Sequence, residues 1–189
     1  MKVVGIGLNK TGTTSLGECM VHWGLKHISC NQDAFNLWRD DTYTELLEWV
    51  ANYDSFEDWP WPLIYKLIDD KFPGSKFILT RRKDAETWFE SLCQHANRTG
   101  PTEYRKYIYG HEMPHEHKEE HIKLYLNHLE SVREYFKDRP SDFLEVCWED
   151  GDGWSALSSF LGFELPEVGF PHANKSPSRQ EIDGACEIV

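Results

Sequence analysis

The N-terminal stretch reads Gly5-Ile6-Gly7-Leu8-Asn9-Lys10-Thr11-Gly12-Thr13-Thr14-Ser15-Leu16. The Val and Ile residues at its start predict a short buried strand over 2–8, and the apolar spacing after it predicts a helix over 13–24. A glycine-containing loop between strand and helix points several backbone N–H groups at one place, beside the positive end of the helix dipole. The loop hydroxyl groups add further donors. The stretch therefore predicts an anion-binding loop.

This loop differs from the phosphate loop of nucleotide hydrolases, which follows the pattern GxxxxGK[ST]. Gly7 and Gly12 have the required spacing, but Thr13 stands at the lysine position and the lysine is Lys10, inside the loop. From there its ammonium group can reach the bridging oxygen of a leaving phosphate. The alternative interpretation is a tight strand-to-helix turn with an incidental lysine.

Strands and helices alternate along the rest of the chain. Further strands are predicted at Lys76–Thr80 and 142–148, and helices at 34–53, 63–72, 84–95, 116–137 and Trp154–Leu161, whereas 97–114 has loop character. This order predicts an α/β layered domain with a mainly parallel sheet. No linker divides the chain, so residues 1–189 are expected to form one domain with a C-terminal tail from about 171.

Composition excludes several classes of partner. The chain has 20 Lys and Arg against 32 Asp and Glu, a net charge of −12, which disfavours binding to nucleic acid or to anionic membrane. Its five cysteines are odd in number and lack CxxC spacing, which disfavours a disulfide framework or a zinc ribbon. Without a signal-peptide pattern or a long apolar run, a cytoplasmic protein is expected.

Residues 10–16, KTGTTSL, resemble the 5′-phosphosulfate loop of sulfotransferases, whose usual form is PKSGTTWL. Asn9 replaces the proline and Ser15 the tryptophan, and the RTGTTSL form of short bacterial sulfotransferase-like proteins is closer. The segment 76–91, KFILTRRKDAETWFES, looks like the second element of that family, a strand ending in Arg before a helix that carries a Ser. In that family, the Arg and the Ser of this element bind the 3′-phosphate of the nucleotide.

The resemblance assigns the 3′-phosphate to Arg82 and Ser91. Their separation of nine is one longer than the common family spacing, so Arg81 or Thr87 remain alternatives. An Arg at the carboxyl end of a strand lies where open α/β sheets bind ligands, and its planar fork suits a phosphate.

Two later stretches extend the resemblance to about residue 176. Residues 148–162 look like the family segment YED…W…L…FLG, and 170–176, FPHANKS, is similar to a C-terminal FPHxN element that adds Lys175 to the binding residues. Asp58-Trp59-Pro60 also recurs in the short proteins of the family.

The resemblance implies a three-layer fold like that of P-loop NTPases and a transfer of sulfuryl from 3′-phosphoadenosine 5′-phosphosulfate to a hydroxyl or amine of a small acceptor. Lys10 stabilises the leaving phosphate, so no metal is required in principle. The residues expected to bind the nucleotide are Asn9, Lys10, Thr11, Gly12, Thr13, Thr14, Ser15, Arg82, Ser91 and Lys175.

A general base is needed for a hydroxyl acceptor. Glu18 lies eight residues after Lys10, the offset at which carbohydrate sulfotransferases place their catalytic glutamate. The alternatives are that Glu18 is a solvated carboxylate, or that a histidine such as His95, His111 or His172 is the base.

A histidine-rich stretch invites a metal interpretation. His117 and His121 are four apart on a predicted helix, with His111 and His115 nearby. The HExxH order is absent and no further ligand stands out in the sequence. A polar loop running into a solvated helix face is favoured, and no metal site is predicted.

Two other functions compete with sulfuryl transfer. A small nucleoside or metabolite kinase also begins with a phosphate loop, but it needs Mg²⁺ carboxylates, for which only Asp69 and Asp70 are candidates. A nucleotide-binding module without catalysis is the third hypothesis, because 189 residues are few for an enzyme that also encloses an acceptor.

Overall fold

The computed structural model describes residues 1–171, so His172 and Lys175 lie outside the described residues. Five strands form one all-parallel sheet in the order β2-β3-β1-β4-β5. Their bounds are Val3–Gly5 for β1, His27–Ile28 for β2, Ser55–Phe56 for β3, Lys76–Thr80 for β4 and Phe143–Val146 for β5. The predicted α/β class with a parallel sheet is confirmed.

Eight α-helices accompany the sheet within the described range. They are α1 Thr13–His22, α2 Gln32–Arg39, α3 Tyr43–Asn52, α4 Tyr65–Lys71, α5 Ala85–Thr99, α6 Glu103–Tyr109, α7 Lys118–Phe136 and α8 Trp154–Leu161. Short 3₁₀ turns occur at Trp61–Leu63 and Trp148–Asp150. None of the helices in residues 1–171 is long and apolar enough to cross a bilayer.

Three sequence expectations were wrong in detail. The single helix predicted over 34–53 is two helices, because Asp41 adopts a left-handed φ of 55° between them. The predicted loop over 97–114 contains α6, which Thr102 caps by accepting a hydrogen bond from the Arg105 N–H and which ends at Gly110. Strands β2 and β3 were missed because two residues are too short to show alternation.

Helices cover both faces of the sheet. Neighbouring residues of β1 and β4 belong to different cores: Val4 and Phe77 pack with α2 to α5 and α7, whereas Val3 and Ile78 pack with α1 and α8. Such alternation is expected when successive side chains of a strand point to opposite faces. The domain therefore has the three layers that the resemblance implied.

Strand β1 lies in the middle of the sheet, between β3 and β4. Strands β2 and β3 extend the sheet to one side of β1 and strands β4 and β5 to the other, so the order changes direction there. In open α/β sheets, ligands bind beside the carboxyl ends of the strands at such a position. The anion loop follows β1, and Arg81 and Arg82 follow β4, so both meet at this edge of the sheet.

Candidate active site

The loop after β1 has an unusual backbone. Lys10 and Gly12 both adopt left-handed conformations, with φ of 68° and 90°. A loop with left-handed residues can direct its backbone N–H groups into a concave anion-binding site, and a non-glycine residue at positive φ is uncommon and often occurs at functional sites. Helix α1 begins directly after Gly12, with no side-chain cap and no acidic residue in its first turn. Its positive end is thus left for an anion.

The two loop glycines are required by close packing. A Cβ added to Gly12 would lie 2.4 Å from Trp148 Cδ1, and one added to Gly7 would lie 2.1 Å from Thr80 Oγ1. The Trp148 indole also donates a hydrogen bond to the Gly12 carbonyl, at 3.0 Å. The segment around Trp148, found in the sequence through its resemblance alone, thus packs against the anion loop.

Asn9 fixes the loop through two distant helices. Trp88 Nε1 on α5 donates to the Asn9 carbonyl (2.9 Å), and the Tyr109 hydroxyl at the end of α6 donates to Asn9 Oδ1 (2.6 Å). Thr11 Oγ1 donates to the Leu8 carbonyl at 2.6 Å. Asn9 and Thr11 are 8% and 1% exposed, so both residues anchor the loop within the protein.

The remaining hydroxyl residues of the loop lie at the first turn of α1. Thr13 and Ser15 are buried, whereas Thr14 is exposed and lines a groove beside the helix. Of the predicted loop residues, Thr14 thus has the side chain most accessible to a ligand.

Lys10 lies within electrostatic range of other charged side chains. Burial lowers the pKa of its ammonium group, and the positive charges of Arg98 and Arg82 lower it further, while Asp58 acts in the opposite direction. The loop lysine and Arg82, which follows β4, therefore lie close enough for their charges to interact. Arg98 was not predicted as a site residue from the sequence, although it lies on the same face of α5 as the predicted residue Ser91.

Ser91 and Arg98 belong to one stripe along that face of α5. Ser91, His95 and Arg98 are spaced four and three residues apart, so they share one helix face. Burial, followed by the charges of Lys10, Arg105 and Arg98, lowers the pKa of His95 to about 4, so His95 lies within electrostatic range of the loop lysine. The alternative residue Thr87 is four residues before Ser91 on the same stripe. His95 is neutral at pH 7.

Arg81 and Arg82 have different surroundings. Arg81 binds Glu145 through Nε (2.8 Å), Asp150 through Nη2 (2.9 Å) and the Arg82 carbonyl through Nη1 (3.1 Å). Arg82 donates from Nη2 to Glu149 at 2.7 Å, and its buried Nε has no hydrogen-bond partner among the described residues. All three guanidinium nitrogens of Arg81 thus donate hydrogen bonds within the protein, whereas Nε of Arg82 donates none to the described residues.

Asp58 is the acidic neighbour of Lys10. It has a left-handed φ of 62°, and its Oδ1 accepts a hydrogen bond from the Trp59 N–H at 2.8 Å. Burial and the charge of Glu57 raise the pKa of Asp58 to about 7, against the opposing effects of that hydrogen bond and of Lys10. Its carboxyl group therefore exchanges a proton near neutral pH beside the loop. In the sequence, Asp58-Trp59-Pro60 stood out as a motif without a role.

Glu18 lies on α1 and lines a groove of about 460 Å³, together with Thr14 of the same helix. The groove floor contains Glu57, which is buried and accepts a hydrogen bond from the Ser29 hydroxyl, and His27, whose Nε2 is 3.7 Å from Glu57 Oε1. Glu18 itself is exposed on the helix. The groove carries acidic and imidazole groups and contains no Lys or Arg among its lining residues.

Comparisons with known proteins assign the chain to a family. A model of the sulfotransferase domain matches residues 2–108 and 101–179, which include the anion loop, β4, α5 and the segment around Trp148. The Ava biosynthesis cluster protein M of Aspergillus versicolor is 26% identical over 212 residues, covering 91% of this chain and 80% of that protein.

Proposed function

This chain belongs to the sulfotransferase-domain family and is a sulfotransferase-type transferase, and we propose that it moves sulfuryl from 3′-phosphoadenosine 5′-phosphosulfate to a hydroxyl or amine of a small acceptor. The observation that carries the proposal is that Lys10, in the loop after β1, and Arg82, after the neighbouring strand β4, lie close enough, together with Arg98, for the arginine charges to lower the pKa of Lys10. A nucleotide with phosphate groups at two positions of its ribose needs two such cationic contacts.

The chain contributes mainly charge stabilisation to this reaction. The bond from sulfur to the bridging phosphate oxygen breaks while a bond from sulfur to the acceptor forms, and negative charge develops on the leaving phosphate. The backbone N–H groups of the loop and the Lys10 ammonium are placed to stabilise that charge, as donors do in phosphoryl transfer. Lys10 supplies the positive charge in this scheme, which requires no metal.

The second cationic contact is assigned to Arg82, and Ser91 on α5 is proposed as the second group that binds the 3′-phosphate. The unused Nε of Arg82 supports this choice over Arg81, whose guanidinium is held by Glu145 and Asp150. Among the described residues, these two positions and the loop supply the proposed nucleotide contacts.

Arg82→Ala is expected to weaken binding of adenosine 3′,5′-bisphosphate at least about tenfold, the scale of losing a hydrogen bond to a charged group. Its affinity for adenosine 5′-monophosphate, which lacks the 3′-phosphate, should change much less. Isothermal titration with both nucleotides measures the ratio. Arg81→Ala is the matched control and is expected to keep the wild-type ratio; a ratio that changes in Arg81→Ala instead would move the assignment to that residue.

The acceptor is proposed to bind in the groove beside α1, with Glu18 as the base that takes its proton. Glu18→Gln is expected to lower acceptor-dependent turnover by about a hundredfold while leaving the affinity for the bisphosphate unchanged. Asp58→Asn provides the comparison, because burial raises the pKa of the Asp58 carboxyl group to about 7. A loss confined to Asp58→Asn, measured with an acceptor from a panel of alcohols and amines, would show that Asp58 is the base.

The proposed donor is tested by thermal melting of the full chain. A ligand that binds only the folded state raises the melting temperature, so adenosine 3′,5′-bisphosphate should raise it and ATP with Mg²⁺ should not. The reverse result would support a kinase. Bisphosphate binding without transfer to any acceptor in the panel would support a nucleotide-binding module.

A further inference from the structure

The segment between α6 and α7 brings two histidines together. His111 and His117 stack with ring centroids 3.3 Å apart and planes inclined by 8°. Glu120, in the first turn of α7, lies 2.8 Å from His111 Nε2 and 3.4 Å from His117 Nδ1. One nitrogen or oxygen of each of the three residues lies within 4.8 Å of the other two. Residues six and nine positions from His111 thus converge on one point.

Imidazole nitrogen and carboxylate oxygen are ligands that Zn²⁺ prefers, at distances of about 2.0–2.2 Å. Two such ligands on a tetrahedral ion are roughly 3.4 Å apart, so the three groups need side-chain adjustments of about an ångström. A three-residue set leaves one coordination position for water.

A buried histidine, His121, lies next to this cluster and is hydrogen-bonded to the backbone of His117. His121 is 1% exposed and packs against Tyr109 and Phe89, with its Nδ1 2.7 Å from the His117 carbonyl. Because Nδ1 donates to that carbonyl, Nε2 is left as an acceptor, and it has no hydrogen-bond partner among the described residues. The His121 ring centroid is 5.9 Å from that of His111. A water bound to an ion could supply the missing donor.

The surroundings favour a cation. A cavity of about 470 Å³ is lined by His111 and His117 and by Glu112 and Glu116, whose two carboxylates outnumber the one ammonium group of Lys106 in the same lining. The chain as a whole carries a net charge of −12. Negative charge along the walls of a cleft raises the local concentration of cations. His115 lines the same cavity but does not belong to the convergent set.

We propose that His111, His117 and Glu120 form a binding site for one divalent transition-metal ion, with Zn²⁺ as the ion that matches their ligand chemistry. The sequence favoured the absence of a site because the HExxH order is absent and no further ligand stood out beside His117 and His121. The fold instead pairs His117 with His111 and supplies Glu120. Binding would fasten residues 110–117 to α7, directly after Tyr109, which holds Asn9 of the anion loop.

The test is isothermal titration of Zn²⁺ into the full chain after treatment with a chelator and its removal. Wild type and His115→Ala are expected to bind one ion per chain. Glu120→Gln and His117→Ala are expected to bind Zn²⁺ at least about tenfold more weakly. Losses of that size follow even the mutation of residues that only orient the ligands of a metal ion. Glu120 is exposed, so its variant folds even if His117→Ala, at the start of α7, does not.

Titration with Co²⁺ in place of Zn²⁺ gives a spectroscopic readout that is independent of the calorimetric one. Intense visible absorption is expected when Co²⁺ is bound by wild type and by His115→Ala, and it should be lost in Glu120→Gln. Equal Zn²⁺ affinity in wild type and Glu120→Gln, or a loss in His115→Ala alone, would overturn the proposal. Nucleotide binding is measured separately, so the outcome does not depend on the proposed reaction.

Discussion

Replacing Lys10 by alanine is expected to slow release of adenosine 3′,5′-bisphosphate from 3′-phosphoadenosine 5′-phosphosulfate by roughly a hundredfold or more, the scale of losing one preorganised donor to a developing anion. The structure places this lysine inside the loop, at a left-handed φ of 68°, half-buried and with Arg82 and Arg98 near enough to lower its pKa. A half-buried charge interacts more strongly with the leaving phosphate than a fully solvated one. Chromatographic release of the bisphosphate measures the rate.

Lys123→Ala provides the charge-matched control, because Lys123 is exposed on α7 and has no part in the proposed site. It should turn over at the wild-type rate. Near-normal turnover in Lys10→Ala would refute the role assigned to the loop lysine. The nucleotide affinity of Lys10→Ala should fall less than its rate, since the charge that Lys10 stabilises develops during the reaction.

Trp88→Ala is expected to lower the free energy of unfolding by about 3–5 kcal/mol, the range for truncating a buried tryptophan. Trp88 is fully buried and stacks on Tyr125 with centroids 4.5 Å apart and planes inclined by 6°. Its indole also donates to the Asn9 carbonyl, so the same side chain joins the core to the anion loop. Urea denaturation followed by circular dichroism measures the change.

Trp88→Phe separates the two contributions of this residue. It keeps most of the stacked area but removes the hydrogen bond to Asn9, which should cost about 1–3 kcal/mol for a buried carbonyl left without its partner. We expect this variant to fold and to bind the bisphosphate more weakly. If Trp88→Phe kept wild-type nucleotide affinity, the loop would not depend on α5 for its position.

These two predictions concern different parts of one arrangement. Lys10 supplies charge, and the residues that hold its loop come from far along the chain: Trp88 on α5, Tyr109 on α6 and Trp148 after β5. The loop motif is local, whereas its rigidity is supplied by three separate elements. Changes at these anchors are therefore expected to affect nucleotide binding without removing any group that contacts the nucleotide.

Much of the fold could be predicted because long elements leave periodic patterns. Helix α7 shows its apolar face at Tyr125, Leu129, Val132 and Phe136, which the structure buries. Strand β4 has the predicted bounds, as does α8. The two-residue strands β2 and β3 have no period to detect, and α6 is recognisable mainly through its cap at Thr102, inside a stretch rich in turn residues.

The sequence by itself determined the α/β class, the anion loop and the identity of its lysine, because backbone conformation and dipoles act over a few neighbouring residues. Only the tertiary structure decided which distant side chains join that loop. Asp58 and Arg98 lie close enough to Lys10 to change its pKa, Arg81 donates to Glu145 of the neighbouring strand β5, and His111 contacts Glu120 where the segment after α6 lies against the start of α7. Contacts of that kind depend on how whole elements pack, which no local pattern of residues specifies.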